Sequence, residues 1–238
     1  MILLIESSTS ICSVALTHDG KIISSRELNE ENCHAEKLTV FIDEVMKEAE
    51  VNFISLDAVA VSKGPGSYTG LRIGVSAAKG ICYAVNKPLI AIGTLDAMAK
   101  GMENAECRMQ NAEWRMENAI LIPMIDARRM EVYSATYDKN GNRLTEVSPL
   151  VLDENSIHSQ FSILHSPLIF SGDGMPKAKE LLSQLPNANF TESGMPSAKN
   201  LASLAEKYFS EKKFEDLAYF EPFYLKTFHP GPQRSKSE

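Results

Sequence analysis

Residues 2–28, ILLIESSTSICSVALTHDGKIISSREL, decide the fold. Residues 2–5 are an uninterrupted apolar run, short enough to read as a buried strand. The run stops at a polar turn, Glu6-Ser7-Ser8-Thr9-Ser10. Residues 12–17 and 21–28 read as two more strands. Asp19-Gly20 between them is a hairpin signal, because glycine accepts a positive φ without steric cost. The chain therefore opens as three antiparallel strands with a polar first turn.

Downstream, the pattern changes period. Leu38, Phe41, Ile42, Val45, Met46 and Ala49 share one face of a helix over residues 34–49. Residues 57–61 return as a buried strand. A breaker-rich loop, Gly64-Pro-Gly-Ser-Tyr-Thr-Gly70, leads into a helix over residues 71–85, with Thr69 suited to cap it. Residues 88–92 read as a strand, with a helix from Thr94. Strands are expected at 119–126, 131–137 and 167–171, a hairpin turn at Asn140-Gly141, and helices at 175–184 and 197–210. Met102, Met109 and Met116 begin a seven-residue repeat, compatible with a helix. Strands followed by helices, twice over, predict two α/β lobes: residues 1–100 and 119–226, separated by the repeat at 101–118 and followed by a polar, disordered tail at 227–238.

Bulk composition narrows the function classes. The 238 residues carry a net charge of −7, with no visible basic patch, so unaided nucleic-acid binding is not expected. A complex could supply the missing positive charge. Cys12, Cys33, Cys82 and Cys107 form no C-x-x-C pair, which points to free thiols rather than a zinc site or a disulfide scaffold. No apolar run approaches the ~20 residues of a membrane span, and no basic leader precedes the first strand; a cytoplasmic location is expected.

Three segments bear on chemistry. Glu6, Ser7, Ser8 and Thr9 form the kind of strand-end turn with which actin- and hexokinase-type folds hold nucleotide phosphates, or simply a hydroxyl-rich link between strands. The Gly64–Gly74 block is not a P-loop, since no Lys follows its glycines. In the helix behind it Arg72, Ser76 and Lys79 make one narrow polar stripe, and apolar or small residues cover the rest. Such a helix is either enclosed within its own domain or shared with another chain. His34 has Leu38 four residues on where a helical metal pair would need a second His, so no metal is expected there.

Taken in order, residues 2–9, Cys12-Ser-Val-Ala-Leu16, His34-Ala-Glu-Lys-Leu38, Gly64–Gly74, Asp126-Ala-Arg-Arg-Met-Glu-Val-Tyr133, Gly172-Asp-Gly174 and Tyr224-Leu-Lys226 resemble the bacterial TsaB (YeaZ) family. Glu6 stands where that family more often has Asp, and Tyr68 where Phe is usual. The resemblance implies a two-lobed actin/hexokinase-like (ASKHA, ribonuclease H-like) fold. It implies a non-catalytic partner in making N6-threonylcarbamoyladenosine in tRNA, with no cofactor of its own. The catalytic subunit would be a TsaD-like paralogue whose second helical His corresponds to Leu38 here. A TsaE-like ATPase would join the pair, and homodimers would form through the same surface. On that basis Leu38, Phe41, Ile42, Val45, Gly74, Ala77, Ala78 and Ile81 are the expected interface, and Gly74→Arg and Ala78→Glu are expected to break association while sparing the fold. Glu6–Thr9 would be a vestigial phosphate turn. Rival readings are a nucleotide-dependent kinase of the same fold, a metalloprotease-like enzyme, or a structural homodimer.

Overall fold

A computed structural model of the chain describes residues 1–30, 32–106, 118–162 and 164–225. Most of the repeat at 102–118 and the whole tail at 227–238 lie outside the described residues.

The first lobe contains β1 (Ile2–Glu6), β2 (Ile11–His18), β3 (Lys21–Asn29), α1 (His34–Glu48), β4 (Ala58–Gly64), α2 (Tyr68–Val85), β5 (Leu89–Gly93) and α3 (Thr94–Glu106). The second contains β6 (Ile120–Asp126), β7 (Glu131–Ser134), β8 (Ser148–Val151), α4 (Glu154–Phe161), β9 (Leu168–Ser171), α5 (Met175–Leu182), β10 (Ala188–Phe190) and α6 (Ala202–Ser210).

The first sheet runs β3-β2-β1-β4-β5. The β1–β2 and β2–β3 pairs are antiparallel, while β1–β4 and β4–β5 are parallel. The second sheet, β8-β7-β6-β9-β10, repeats this order and these directions. One topology is therefore used twice, with β6 in the place of β1 and β9 in the place of β4.

The continuous apolar run of β1 follows from helices on both faces of its sheet. Leu3 and Ile5 join the core under α1 and α2. Ile2 and Leu4 point the other way, into a core closed by α6 and the 3-10 turn Ala198–Leu201. Thus the last helix packs on the first sheet. Conversely, Leu95, Met98, Ala99 and Met102 of α3 pack on Leu121, Ile125 and Tyr137 of the second lobe. Each lobe lends the other a helix.

Both edges of the first sheet are protected, which matters because an open edge templates further pairing. At the β3 edge, Arg26 reaches Glu44 and Glu48 of α1 at 2.9 and 2.6 Å. At the β5 edge, Glu215 makes an antiparallel bridge to Leu89. From there residues 214–225 run as a strap across the lobe. Leu217 and Phe220 pack on the α1–α2 core, Phe223 donates its N–H to the Lys63 carbonyl at 2.7 Å, and Leu225 meets the α3 core.

Several sequence expectations are corrected. β4 runs to Gly64, and α2 begins at Tyr68 rather than at 71. Its cap is Ser67, whose Oγ accepts from Gly70 N–H at 3.3 Å; Thr69 already lies within the helix. The strand expected over 131–137 ends at Ser134, with Tyr137 making only isolated bridges. The helix expected over 197–210 opens as a 3-10 turn. Strands β8 and β10 and helix α4 were not foreseen.

Candidate functional site

The first turn is built where β1 ends and α2 begins. Glu6, Ser7 and Ser8 are fully buried and Thr9 nearly so. The Glu6 carboxylate accepts Ser8 N–H at 2.6 Å and Ser62 Oγ–H at 2.9 Å through one oxygen. Its other oxygen, and Ser8 Oγ, are buried without a hydrogen-bond partner among the described residues. Burial holds the Glu6 carboxyl above its ordinary pKa, against the lowering effect of those hydrogen bonds.

What buries the turn is the glycine block. Ser7 Oγ donates to the Gly70 carbonyl at 2.9 Å, and Ser67 N–H donates to the Ser8 carbonyl at 2.6 Å. A Cβ at Gly66 or Gly70 would fall inside 3.0 Å of the Ser8 or Ser7 carbonyl oxygen, and one at Gly74 inside 3.0 Å of Ser7 Oγ. A phosphate is larger than a methyl group, so the α2 face of the turn has no room for one. Gly64 holds a φ of +109°, and a side chain there would meet the Phe223 carbonyl of the strap. The Gly64–Gly74 block therefore seats a helix against the turn.

The residues expected at a partner surface divide into two groups. Leu38, Ile42, Val45 and Ala78 face the chain's own core and are at most 4 % exposed, and Gly74 is buried with them. Phe41, Ala77 and Ile81 are half-buried on its outer side, with Ile73 beside them. The same helices leave Val40 and Tyr83 exposed. The correction to the sequence expectation is physical: a substituent at Gly74 or Ala78 points into packed protein, so Gly74→Arg and Ala78→Glu would damage the fold itself. His34, the first residue of α1, is buried with Nε2 3.2 Å from the Ile11 carbonyl oxygen, and burial lowers its pKa.

On the far side of α2 lies an open groove of about 350 Å³ lined by Tyr68, Arg72, Ser76, Lys79 and Tyr224, among others. Tyr68 and Tyr224 rings are 5.0 Å apart, and the Arg72 guanidinium lies over Tyr68 at 5.1 Å. Lys79 Nζ donates to the Phe220 carbonyl at 3.1 Å, binding the strap to the helix. The polar stripe read from sequence is thus the seat of the strap.

The second lobe carries the equivalent turn between β6 and β7. Lys177 of α5 donates to Asp126 Oδ1 at 2.6 Å and to the Arg129 and Glu131 carbonyls at 2.7 Å. Asp173, between Gly172 and Gly174, accepts Asp126 N–H at 3.2 Å. Burial, with the nearby Asp126 charge adding to it, pushes the Asp173 carboxyl up to about 6. Arg128 and Arg129 adopt left-handed φ values of 64° and 53°. A bulky side chain there costs on the order of 1 kcal/mol or more. Sequence reasoning missed Lys177, Tyr224 and the Asp173–Asp126 pairing as parts of sites. The only signals were the recurrence of an acid at a strand end and of Gly-x-Gly after the fourth strand of each lobe.

A duplicated five-stranded fold, with helices exchanged between its halves and a turn at the end of each first strand, defines the actin/hexokinase class. A solved structure of this broad kind, (R)-2-hydroxyglutaryl-CoA dehydratase component A from Acidaminococcus fermentans, superposes with a TM-score of 0.50 at 10 % identity, covering 89 % of this chain and 98 % of that one. It is similar in fold alone. The family model described as TsaD, tRNA N6-adenosine threonylcarbamoyltransferase, matches residues 21–229. The tRNA threonylcarbamoyladenosine biosynthesis protein TsaB of Escherichia coli is 29 % identical over 233 residues, 95 % of this chain and 94 % of that protein. The solved YeaZ from Pseudomonas aeruginosa matches with a TM-score of 0.73 at 26 % identity, over 94 % and 99 % of the two chains. The chain belongs to the tRNA N6-adenosine threonylcarbamoyltransferase family and, within it, to the TsaB (YeaZ) branch.

Proposed function

We propose that this chain is the non-catalytic partner subunit of a complex that forms N6-threonylcarbamoyladenosine in tRNA. Its principal partner is a TsaD-type threonylcarbamoyltransferase, met through the outer face of α1 and α2. A TsaE-like ATPase joins the pair, the isolated chain forms a homodimer through the same face, and tRNA is engaged within the cytoplasmic complex. One observation carries this reading: α2 presses one side into the turn that a nucleotide would need, while Ile73, Ala77 and Ile81 on its outer side, with Phe41 of α1, are only partly buried. The roles carried in the names of the E. coli relative and of the matching family support it. Specific interfaces of this kind bury on the order of 1,600 Å² in total.

The test is co-purification of the full chain with the TsaD-type protein of its native host, followed by modified-adenosine formation with and without the chain. Formation that depends on the chain, through a stable complex, is the expected result. Equal formation without it would reject the role. Tight ATP binding by the isolated chain would reject the blocked turn.

A further inference from the structure

We propose that Arg128 and Arg129 form this subunit's own contact to the phosphate backbone of RNA. The inference rests on the tRNA-modification role above and adds where the RNA is touched. Five arginines lie among the described residues. Arg26 is paired with Glu44 and Glu48, Arg72 covers Tyr68, and Arg143 faces Asp96 at 3.9 Å. Arg128 and Arg129 are exposed and have no ion-pair partner among the described residues.

Their backbone is unusual as well. Both hold the left-handed conformation that Gly and Asn adopt at lower strain, so the position is occupied for its side chains. The turn is also rigidly backed. Lys177 grips Asp126 and the carbonyls of Arg129 and Glu131, Arg128 N–H donates to Asp126 Oδ1 at 2.6 Å, and Gly174 N–H donates to the Met124 carbonyl at 3.1 Å. The Asp126 charge is thereby met from behind by Lys177 and a backbone N–H. The two guanidiniums stay available. Each can bind a phosphate bidentately, and adjacent ones suit consecutive phosphates, whereas a single protein carboxylate would use one. On a chain of net charge −7, such a fork marks a specific place for an anion.

The experiment compares wild type with Arg128→Gln/Arg129→Gln, each as the full chain assembled with its TsaD-type and TsaE-type partners. Unmodified host tRNA is titrated between ~50 and ~200 mM salt. The expected result is normal assembly on gel filtration, tRNA affinity weakened about tenfold or more, and a salt slope shallower by about 1–2. Arg128→Lys/Arg129→Lys is expected to recover most of the slope. Unchanged affinity and slope would overturn the proposal. So would lost assembly with tRNA binding otherwise intact, since the arginines would then be gripping a protein carboxylate. Failure of the wild-type chain to assemble at all is a failure of the subunit role, visible before tRNA is added. In that event tRNA binding by the isolated chain at low salt decides: wild type must bind more tightly than the Gln variant.

Discussion

A methyl group at Gly74 would collide with the Ser7 hydroxyl and press on Ser7 Cβ at 3.2 Å. Both lie in a closed seam, so neither yields cheaply. Gly74→Ala should therefore destabilise by about 1–3 kcal/mol through overpacking, although alanine is the better helix former. A thermal melt reads this as a fall of ~2–4 °C for each kcal/mol in a chain of this size. An unchanged melting temperature would show that the seam is loose. Asp173 makes a second prediction at this scale. Its folded pKa of about 6 lies above the ordinary value of 3.8, so the folded state binds the proton more tightly than the unfolded chain does. Its contribution is fully present below ~4 and is lost as pH rises through ~6. Asp173→Asn keeps an acceptor for the Asp126 N–H and removes the titration. The variant should gain stability relative to wild type between pH ~4 and ~7, as followed by urea denaturation across that range. A constant difference over the window would mean Asp173 titrates normally.

At the scale of elements, α2 has two faces with different sensitivities. Leu71, Val75, Ala78 and Cys82 are buried in the first lobe, whereas Ala77 and Ile81 are only half so. Ala77→Glu and Ile81→Glu should leave the melting temperature within a few degrees of wild type and weaken association at least tenfold in analytical ultracentrifugation. Ala78→Glu should lower the melting temperature steeply whatever the partner. If the outer variants unfold the chain, or pair as well as wild type, the surface is assigned wrongly. This division was only half legible in the sequence. Periodicity identifies α1 and α2 and shows α2 too apolar for one sheet. It does not say which side of each is taken by the chain's own core, because that depends on where the sheet lies. The first strands were legible because a short apolar run closed by a polar turn, and the Asp19-Gly20 hairpin signal, act locally. By contrast, β10 is only three residues long and β8 four, too short for a period to register, and α4 is anchored by only Ile157 and Phe161. The glycine block was visible as a loop, yet its purpose was hidden. Close approach to Ser7 and Ser8 joins segments about sixty residues apart, and no local pattern encodes it.

At the scale of the molecule, the strap at residues 214–225 joins things that are otherwise separate. It bridges Leu89 at the open edge of β5, fills the α1–α2 core with Leu217 and Phe220, donates to Lys63 at the mouth of the glycine loop, and ends with Leu225 against the α3 core. The Lys79 amine and the Tyr68–Tyr224 ring contact hold it along α2. Truncation after Lys213 therefore has three consequences with one cause. The partial burial of Leu217 and Phe220 is lost, worth about 3 kcal/mol together. The β5 edge is bared to pairing with other chains. The loop that seats α2 against Ser7 and Ser8 loses its outer wall at Phe223. The truncated chain should melt ~6–12 °C lower and show concentration-dependent aggregation by light scattering, whereas Tyr219→Ala, at a side chain 85 % exposed, should do neither. A truncated chain that stays monodisperse and melts like wild type would mean the strap merely lies on a lobe already complete without it.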